Sequence, residues 1–303
     1  MKSVVITGAR GFLGSHMVRF YLQKGYRVFA LTSSYSTRDF FSDLHKNLFY
    51  LDIKEELGNL ISEIYGEVEC FFHLAWAGVK PEQRKEYRLQ LANLALCEKM
   101  IELASNIKAK KFIFPGSISE YLNTPGPDKL LGKPTPADAY GVAKVSARFL
   151  VETSCRQKNL PCNYVLLTSI YSAERDDNNV VNYVIKSLLA RRRPKLSSCK
   201  QPWNFLEVSD AIKGLEAISS HGKPYEEYQL GGIENLPLID FLRIIQNIID
   251  PNLTLGLGEL VSNQSRVDGT VILDKLHKDT GFLPEVKFTE GITKVIEKIK
   301  ERS

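Results

Sequence analysis

No apolar run in this chain of 303 residues approaches the ~20 that a membrane-spanning helix requires, so no membrane association is expected. The first residues lead straight into the strand-like Val4-Val5-Ile6. No basic stretch followed by an apolar core precedes it, so no secretory signal is expected. Cysteine is sparse. Cys70, Cys97, Cys155, Cys162 and Cys199 are odd in number and lack the paired spacing of a metal site. That argues against a metal centre or a disulfide framework and for a cytoplasmic protein with reduced, buried thiols. Charge of one sign is also in short supply. Forty Lys and Arg against 35 Asp and Glu leave a net +5, too mild for a nucleic-acid footprint and compatible with a small anionic ligand. Internal repeats, low-complexity tracts and flexible linkers are missing too. What remains, 44% hydrophobic and 25% charged residues, is the composition of a soluble globular protein.

The hydrophobic residues are arranged in alternating patterns. Strand-like runs occur at Val4–Ile6, Val28–Leu31, Leu48–Leu51, Cys70–Leu74, Lys111–Phe114 and Tyr164–Leu167. Helical patterns lie between them, at Ser15–Gln23, Glu86–Ser105 and Ala139–Lys158. This alternation predicts an α/β fold with a doubly wound parallel sheet and helices on both faces. Asn123 to Asp138 is rich in Pro and Gly and reads as a loop. Beyond residue 170 the pattern is irregular, with short strands at Leu206–Val208 and Tyr228–Gly231 and helices at Val180–Arg191 and Ile239–Ile249.

Between the first strand and the first helix stands Gly8-Ala9-Arg10-Gly11-Phe12-Leu13-Gly14. Glycines there let the backbone approach a pyrophosphate, and the helix N-terminus faces its negative charge. The expectation is a Rossmann dinucleotide-binding domain over residues 1–170, with returns near 203–236. A smaller, interleaved substrate-binding domain would occupy mainly 171–303. The second strand ends in Thr32-Ser33-Ser34, without the acidic residue that would bind the ribose 2′-hydroxyl of NAD and repel the 2′-phosphate of NADP. Arg10 and Arg38 are candidate cations for that phosphate. NADP is therefore the expected cofactor, with NAD as the alternative. The plainer reading makes Arg10 an exposed charge and the serines turn residues.

Tyr140 and Lys144 are one helical turn apart and share a face. An ammonium group beside a phenol favours the phenolate, and such a phenol can exchange a proton with a sugar oxygen. Tyr50 and Lys54 have the same spacing, but Tyr50 lies in a strand, where four residues span ~13 Å and the groups diverge. Ser117 follows the strand Phe112-Ile113-Phe114 through Pro115-Gly116, at the end where ligands bind in open α/β sheets. Alone, it would read as a turn residue or cap.

With these pieces the chain resembles the extended short-chain dehydrogenase/reductase family, the NAD(P)-dependent epimerases, dehydratases and reductases of nucleotide sugars. The resemblance spans nearly the whole chain. It runs through Gly8–Gly14, Leu51-Asp52-Ile53, His73-Leu74-Ala75, Asn93, Ser117 with Tyr121, and Tyr140 with Lys144. It continues through Ile170-Tyr171, Asn204-Phe205-Leu206-Glu207-Val208-Ser209-Asp210 and Glu290-Gly291-Ile292. It implies Asp52 and Ile53 near the adenine, Leu74, Ala75 and Asn93 along the cofactor, and Lys144 on the nicotinamide ribose. Ser117 and Tyr140 would meet the sugar carbon that is oxidised or reduced. Arg266 would hold the nucleotide diphosphate, a role suited to a guanidinium fork. Trp76, Ser119, Ser169, Asn182 and Trp203 would complete the substrate side. Each has a structural counter-reading: Asp52 as a strand-end turn, His73 as a satisfied core histidine, Asn93 as a helix packing residue, and Arg266 and Arg191-Arg192-Arg193 as solvated charges.

Departures from the family pattern narrow the chemistry. Sugar 4,6-dehydratases carry an Asp-Glu pair directly after the catalytic Ser or Thr, where this chain has Ile118 and Ser119. Enzymes that combine 3,5-epimerisation with reduction carry a cysteine where Ser119 stands. Tyr171-Ser172-Ala173 replaces the usual Tyr-Gly-Pro, and Trp203 replaces a common arginine. His73 to Gly78 with Trp203-Asn204 is most similar to reductases and epimerases of 4-keto-6-deoxy sugars. The resulting expectation is an NADP-dependent reductase of a nucleotide-linked 4-keto-6-deoxyhexose. The alternatives are an NAD-dependent nucleotide-sugar 4-epimerase and, in another class, a non-catalytic dinucleotide-binding protein.

The pattern also bears on assembly. The helix expected from Tyr87 to Ser105 has Leu89, Leu96, Met100 and Leu103 on one side and Leu91, Leu94 and Ile101 elsewhere. The Tyr140 helix sets Val142, Val145 and Phe149 apart from Ala143, Ala147 and Leu150. A helix apolar nearly all round is buried on two sides. A two-fold homodimer through these helices is expected, as the resemblance also implies.

Overall fold

Alternate residues of the central strands point into two different cores, and this organises the molecule. The computed structural model describes residues 1–33, 46–121, 132–174, 179–260 and 268–302. Strand β1 (Ser3–Thr7) is buried along its whole length. Its Val5 joins Phe29, Phe71 and Phe112 in one cluster, while Val4 and Ile6 join Val28, Phe72 and Ile113 in another. A strand covered on both faces reads as a continuous apolar run, as β1 does.

The main sheet has seven strands in the order β3-β2-β1-β4-β5-β6-β9. The remaining members are β2 (Arg27–Thr32), β3 (Leu48–Asp52), β4 (Val68–His73), β5 (Phe112–Pro115), β6 (Cys162–Leu167) and β9 (Glu227–Leu230). Every pairing is parallel. The expected α/β class and doubly wound sheet are thus observed. Helices α3 (Tyr87–Asn106) and α4 (Ala139–Gln157) cover one face, supplying Met100, Ile101, Ala147 and Val151. Helices α1 (Phe12–Gln23) and α6 (Val208–His221) cover the other with Met17, Val18, Ile212 and Leu215. A short α2 (Leu57–Glu63) links β3 to β4. Strand order reverses at β1, between β2 and β4. That opens a crevice at the strands' C-terminal ends, where Thr7, Thr32 and His73 stand.

A small second sheet orders β10-β8-β7, from β7 (Ser169–Tyr171), β8 (Pro202–Glu207) and β10 (Asn235–Pro237). It packs with α5 (Val180–Leu189), α7 (Leu238–Ile249) and α9 (Phe288–Glu301) around Phe205, Phe241 and Phe288. Helix α7 buries Leu238, Phe241, Leu242 and Ile245, the i, i+3, i+4, i+7 stripe of an amphipathic helix. Helix α8 (Asp274–Thr280) ends on the left-handed Gly281 (φ 74°). Asp210 on α6 ties the chain before α9 to the main sheet, its Oδ2 accepting from the N–H groups of Glu285 and Val286 (2.8 Å each).

Helix α1 starts at Phe12, not Ser15, because the turn from Gly8 to Gly11 is tight enough for the helix to begin within the glycine segment. The helix expected to reach Arg191 stops at Leu189. The first part of the loop expected from Asn123 to Asp138 lies outside the described residues, and 132–138 carry no helix or strand. All five cysteines are free and buried. No helix among the described residues is long and apolar enough to cross a membrane.

Candidate active site

The glycine turn is required by its surroundings. Gly8 has φ +65°, and a Cβ there would lie 2.8 Å from the Ala75 nitrogen. A Cβ on Gly14 would fall 2.1 Å from the Gly8 carbonyl oxygen. Gly11 N–H donates to that same oxygen (2.8 Å) and closes the turn. Gly11 is also the N-cap of α1, and no side chain caps the helix there. Phe12, Leu13 and Gly14 form its first turn. The helix thus presents the positive end of its dipole to the crevice.

A cavity of about 950 Å³ opens above this turn. That is at the upper end of the ~300–1,000 Å³ typical of ligand sites. One side is formed by Gly8, Arg10, Gly11, Thr32 and Ser33, the floor by Ile53 and Lys54, and the far wall by Ala75–Ala77 with Ala92, Asn93, Leu96 and Lys99 of α3. These features fit a dinucleotide: a backbone-lined phosphate cradle and an elongated, partly apolar groove. Lys54 and Lys99 are cations that sequence reasoning missed. Lys99 Nζ donates to the carbonyls of Ile53 (2.9 Å) and Glu55 (2.5 Å), which fixes the segment after β3. Arg10 bears on the half-buried Tyr50, whose pKa burial raises and the Arg10 charge lowers. Arg38 lies outside the described residues.

The residues around the cavity are held by buried hydrogen bonds. Thr7 Oγ1 accepts from Ala75 N–H (3.0 Å) and lies 2.9 Å from His73 Nδ1. His73 Nε2 lies 3.3 Å from Cys97 Sγ, so both ring nitrogens have a buried hydrogen-bond partner. Burial, reinforced by the charge of Lys144, pushes the His73 pKa down to about 3. His73 is a neutral structural residue. Leu74 is half-buried against the sheet face that α1 and α6 cover. Asn93 holds the Ala77 backbone at both ends: Oδ1 accepts from its N–H (2.8 Å) and Nδ2 donates to its carbonyl (3.1 Å). Asp52 Oδ1 accepts from Lys54 N–H (2.9 Å), the strand-end turn of the alternative reading. The neighbouring Ile53 faces the cavity.

Trp76 belongs both to the cavity and to the group around Tyr140. Its ring meets the Tyr140 ring edge-on, 6.1 Å between centroids, and its Nε1–H donates to Gln90 Oε1 (3.0 Å). Lys144 Nζ lies 3.8 Å from the Trp76 ring centroid and donates to the Pro115 carbonyl (3.0 Å). Burial pushes the Lys144 pKa down to about 8, against the opposing effects of Cys97 and Glu120. Asp138 caps α4 by accepting from Gly141 N–H (2.8 Å), which places Tyr140 in the first turn. Ser117 follows β5, and its Oγ accepts from Ser119 N–H (3.2 Å). The expectation that a neighbouring lysine lowers the Tyr140 pKa needs correction. Burial dominates and raises it, while the Ser117 hydroxyl and the Arg84 guanidinium pull it back.

Glu120, to which sequence reasoning gave no role, is fully buried beside the site. Its Oε1 accepts from Ser117 N–H (2.8 Å) and sets the serine turn. Its second oxygen faces the buried Tyr164 hydroxyl, and burial raises the carboxyl pKa. Tyr121 accepts from Arg148, one helical turn beyond Lys144, and Arg148 pairs with Glu227 at β9. Ser169 lies on β7 beside Phe205, and buried Asn182 in the first turn of α5 donates its N–H to Asn179 Oδ1 (2.9 Å). Trp203 on β8 has a buried Nε1 with no hydrogen-bond partner among the described residues. Arg266 lies outside the described residues.

Residues 4–231 match the NAD dependent epimerase/dehydratase family. An uncharacterized UDP-glucose epimerase of Bacillus subtilis is 24% identical over 311 residues, covering 97% of this chain and 96% of the relative. UDP-glucuronic acid decarboxylase 1 of Arabidopsis thaliana is 23% identical, over 99% of this chain and 70% of its own length. Among solved structures, the UDP-glucose 4-epimerase of Thermotoga maritima superposes with TM-score 0.84 at 20% identity, covering 100% of this chain and 99% of that one. The UDP-glucuronic acid 4-epimerase of Bacillus cereus in complex with NAD gives 0.83 at 22% identity, with the same coverage.

Proposed function

This chain belongs to the NAD dependent epimerase/dehydratase family, and on that basis we propose that it is an NADP-dependent reductase of a nucleotide-linked 4-keto-6-deoxyhexose. Residues 1–170, with returns near 203–236, hold the cofactor in this reading, and 171–303 mainly the sugar nucleotide. The observation that carries it is the pairing of Ser117 and Tyr140 at the Trp76 end of the glycine-lined cavity, where the neighbouring Glu120 carboxyl is buried and accepts from Ser117 N–H. A 4,6-dehydratase needs an acid and a base there. Ile118 and Ser119 are neither, and Glu120 is turned onto Ser117 N–H and Tyr164.

NADPH, when bound, supplies the hydride that adds to the C4 carbonyl. Tyr140 donates the proton to the C4 oxygen, and the Ser117 hydroxyl polarises that oxygen. Lys144 binds the ribose next to the nicotinamide. Trp76 shields Tyr140 and Lys144 from water on one side. The NADP preference is supported by Thr32 and Ser33, uncharged residues at the end of β2, and by Arg10, Lys54 and Lys99 around the same cavity.

A second reading, a 4-epimerase, uses the same residues and keeps NAD bound through both half-reactions. The description of the Bacillus subtilis relative favours it. Incubation with nucleotide-linked 4-keto-6-deoxyhexoses and either NADPH or NADH, followed by absorbance and product NMR, decides between them. Net consumption of NADPH supports the reductase. Interconversion of 4-hydroxy sugars without net consumption supports the epimerase.

The protein is further proposed to form a homodimer through α3 and α4. Tyr87 and Leu91 on α3 are 66% and 59% exposed, and Val142 and Phe149 on α4 are 45% and 55% exposed. These two helices pack side by side over one face of the sheet.

A further inference from the structure

Arg84 stands on the short 3-10 helix Gln83–Lys85, between the cavity wall and α3. Its Cζ lies 4.6 Å from the Tyr140 ring centroid. NH1 donates to Ser119 Oγ (3.3 Å) and Nε donates to the Val79 carbonyl (3.1 Å). Two bonds on different nitrogens fix the plane of a guanidinium, and three of its five N–H donors remain for other partners. The helix is anchored in turn, since Gln90 Nε2 donates to the carbonyls of Gln83 (3.2 Å) and Gly78 (2.8 Å). Lys144, the cation one turn along α4, sends its Nζ to the Pro115 carbonyl and across Trp76.

We propose that Arg84 is a positioning residue of the reaction centre: its guanidinium, fixed on the face of the Tyr140 ring by Ser119 and Val79, supplies the positive charge that favours the phenolate. The inference rests on the reading of Tyr140 as the proton-transferring group. A cation near an ionisable phenol lowers its pKa, and one on the ring face also interacts with the π-system. Other groups bear on the same phenol. Glu120 and Asp138 oppose ionisation with negative charge, and the Ser117 hydroxyl favours it. Lys144, packed on the same Trp76 ring, bears its charge nearby. Arg84 therefore works with the Ser117 hydroxyl against two carboxylates and burial, and burial remains the largest influence. Ser119, which stands where related enzymes carry a carboxylate or a thiol, acquires a task here as a bracket for the guanidinium.

The test is a spectrophotometric titration of the full chain, following the ultraviolet phenolate band and subtracting the curve of Tyr140→Phe to isolate Tyr140. Arg84→Gln should raise the Tyr140 midpoint by at least about one pH unit, the size of shift an adjacent charge produces. Arg84→Lys keeps the charge and should leave the midpoint near that of the unmodified protein. In the rate of ketone reduction, which needs the protonated phenol, the alkaline limb should move upward with Arg84→Gln by the same interval. An unmoved midpoint in Arg84→Gln, equal shifts in the Gln and Lys variants, or no Tyr140-dependent step in the unmodified protein would each overturn the proposal. Failure of every 4-keto sugar to turn over would sink the reductase reading while leaving the titration to stand or fall on its own.

Discussion

Replacing Gly8 by alanine tests whether the phosphate cradle and the His73 network are one mechanical unit. The residue sits at φ +65°, and forcing an L side chain into the left-handed region costs about 1–2 kcal/mol. The added Cβ would lie 2.8–3.0 Å from Ala75 N, Ala75 Cα and the Leu74 carbonyl carbon, all backbone atoms that no side-chain rotation can clear. Ala75 must retreat, and its N–H then leaves Thr7 Oγ1, the same oxygen that serves His73. Loss of that half-buried bond adds about 0.5–1.5 kcal/mol, for a total near 1.5–3.5 kcal/mol. Gly25→Ala is the control, because Gly25 has φ +76° with nothing within 4 Å of a new Cβ. It should show the strain alone, about 1–2 kcal/mol. Urea unfolding measures both variants, and NADPH fluorescence measures binding. Gly8→Ala should bind at least about tenfold more weakly, equivalent to ~1.4 kcal/mol, because Ala75 lines the cavity. Gly25→Ala should bind normally. If Gly8→Ala is no less stable than Gly25→Ala and binds NADPH as tightly as the unmodified protein, the coupling described here is wrong.

Tyr140→Phe should abolish ketone reduction while leaving NADPH binding intact, since only the hydroxyl is removed; retention of most of the turnover would assign the proton transfer elsewhere. The protein should prefer NADPH to NADH by about tenfold or more, the equivalent of one charge-assisted contact. Arg10→Ala should weaken that preference, and equal affinities in the unmodified protein would remove its basis. His73 has a pKa near 3 in the folded protein against an ordinary 6.5, so the unfolded chain binds the extra proton between those values. Stability should therefore fall as pH drops from 6.5 toward 3, by up to ~1.4 kcal/mol per unit from this residue. His73→Gln should flatten the urea-unfolding profile over that window, and an unchanged slope would count against a buried neutral histidine. Phe149→Lys should yield a monomer in sedimentation at micromolar concentration, whereas an unmodified protein that is itself monomeric would refute the α3–α4 interface.

The legible parts of this molecule are those whose signals are local. Val4-Val5-Ile6 followed by three glycines announces strand, turn and helix within a dozen residues. Tyr140 and Lys144 share a face because one helical turn separates them. Arg84 gave no comparable signal. It reaches Tyr140 and Ser119 only because the 74–85 segment folds back over the strand ends, which is a tertiary event. Glu120 was hidden differently: in a linear reading it is one of three spacers between Ser117 and Tyr121, and its burial emerges only when the turn after β5 closes on Ser117 N–H. Lys99 was masked by periodicity, since a lysine on a surface helix normally reads as solvated. The Tyr140 pKa rises where the sequence pattern led us to expect a fall, because burial of the phenol dominates and four-residue spacing says nothing of how deeply a ring is buried.

Helix α4 divides its circumference between two kinds of constraint. Tyr140, Lys144 and Arg148 fall on one stripe at four-residue intervals, and each is bound into the interior: beside Trp76, on the Pro115 carbonyl, and onto Tyr121 with Glu227. Val142, Ser146 and Phe149 fall on the outer side, where each is exposed. Substitution on the outer side leaves the inner anchors untouched, so the two halves of one helix can change at different rates. A lineage of such proteins could revise how its chains associate, or with what, while the proton-transfer group keeps its place. The ion pair from Arg148 to β9 is what permits this independence, because it sets the rotation of the helix from within the same chain.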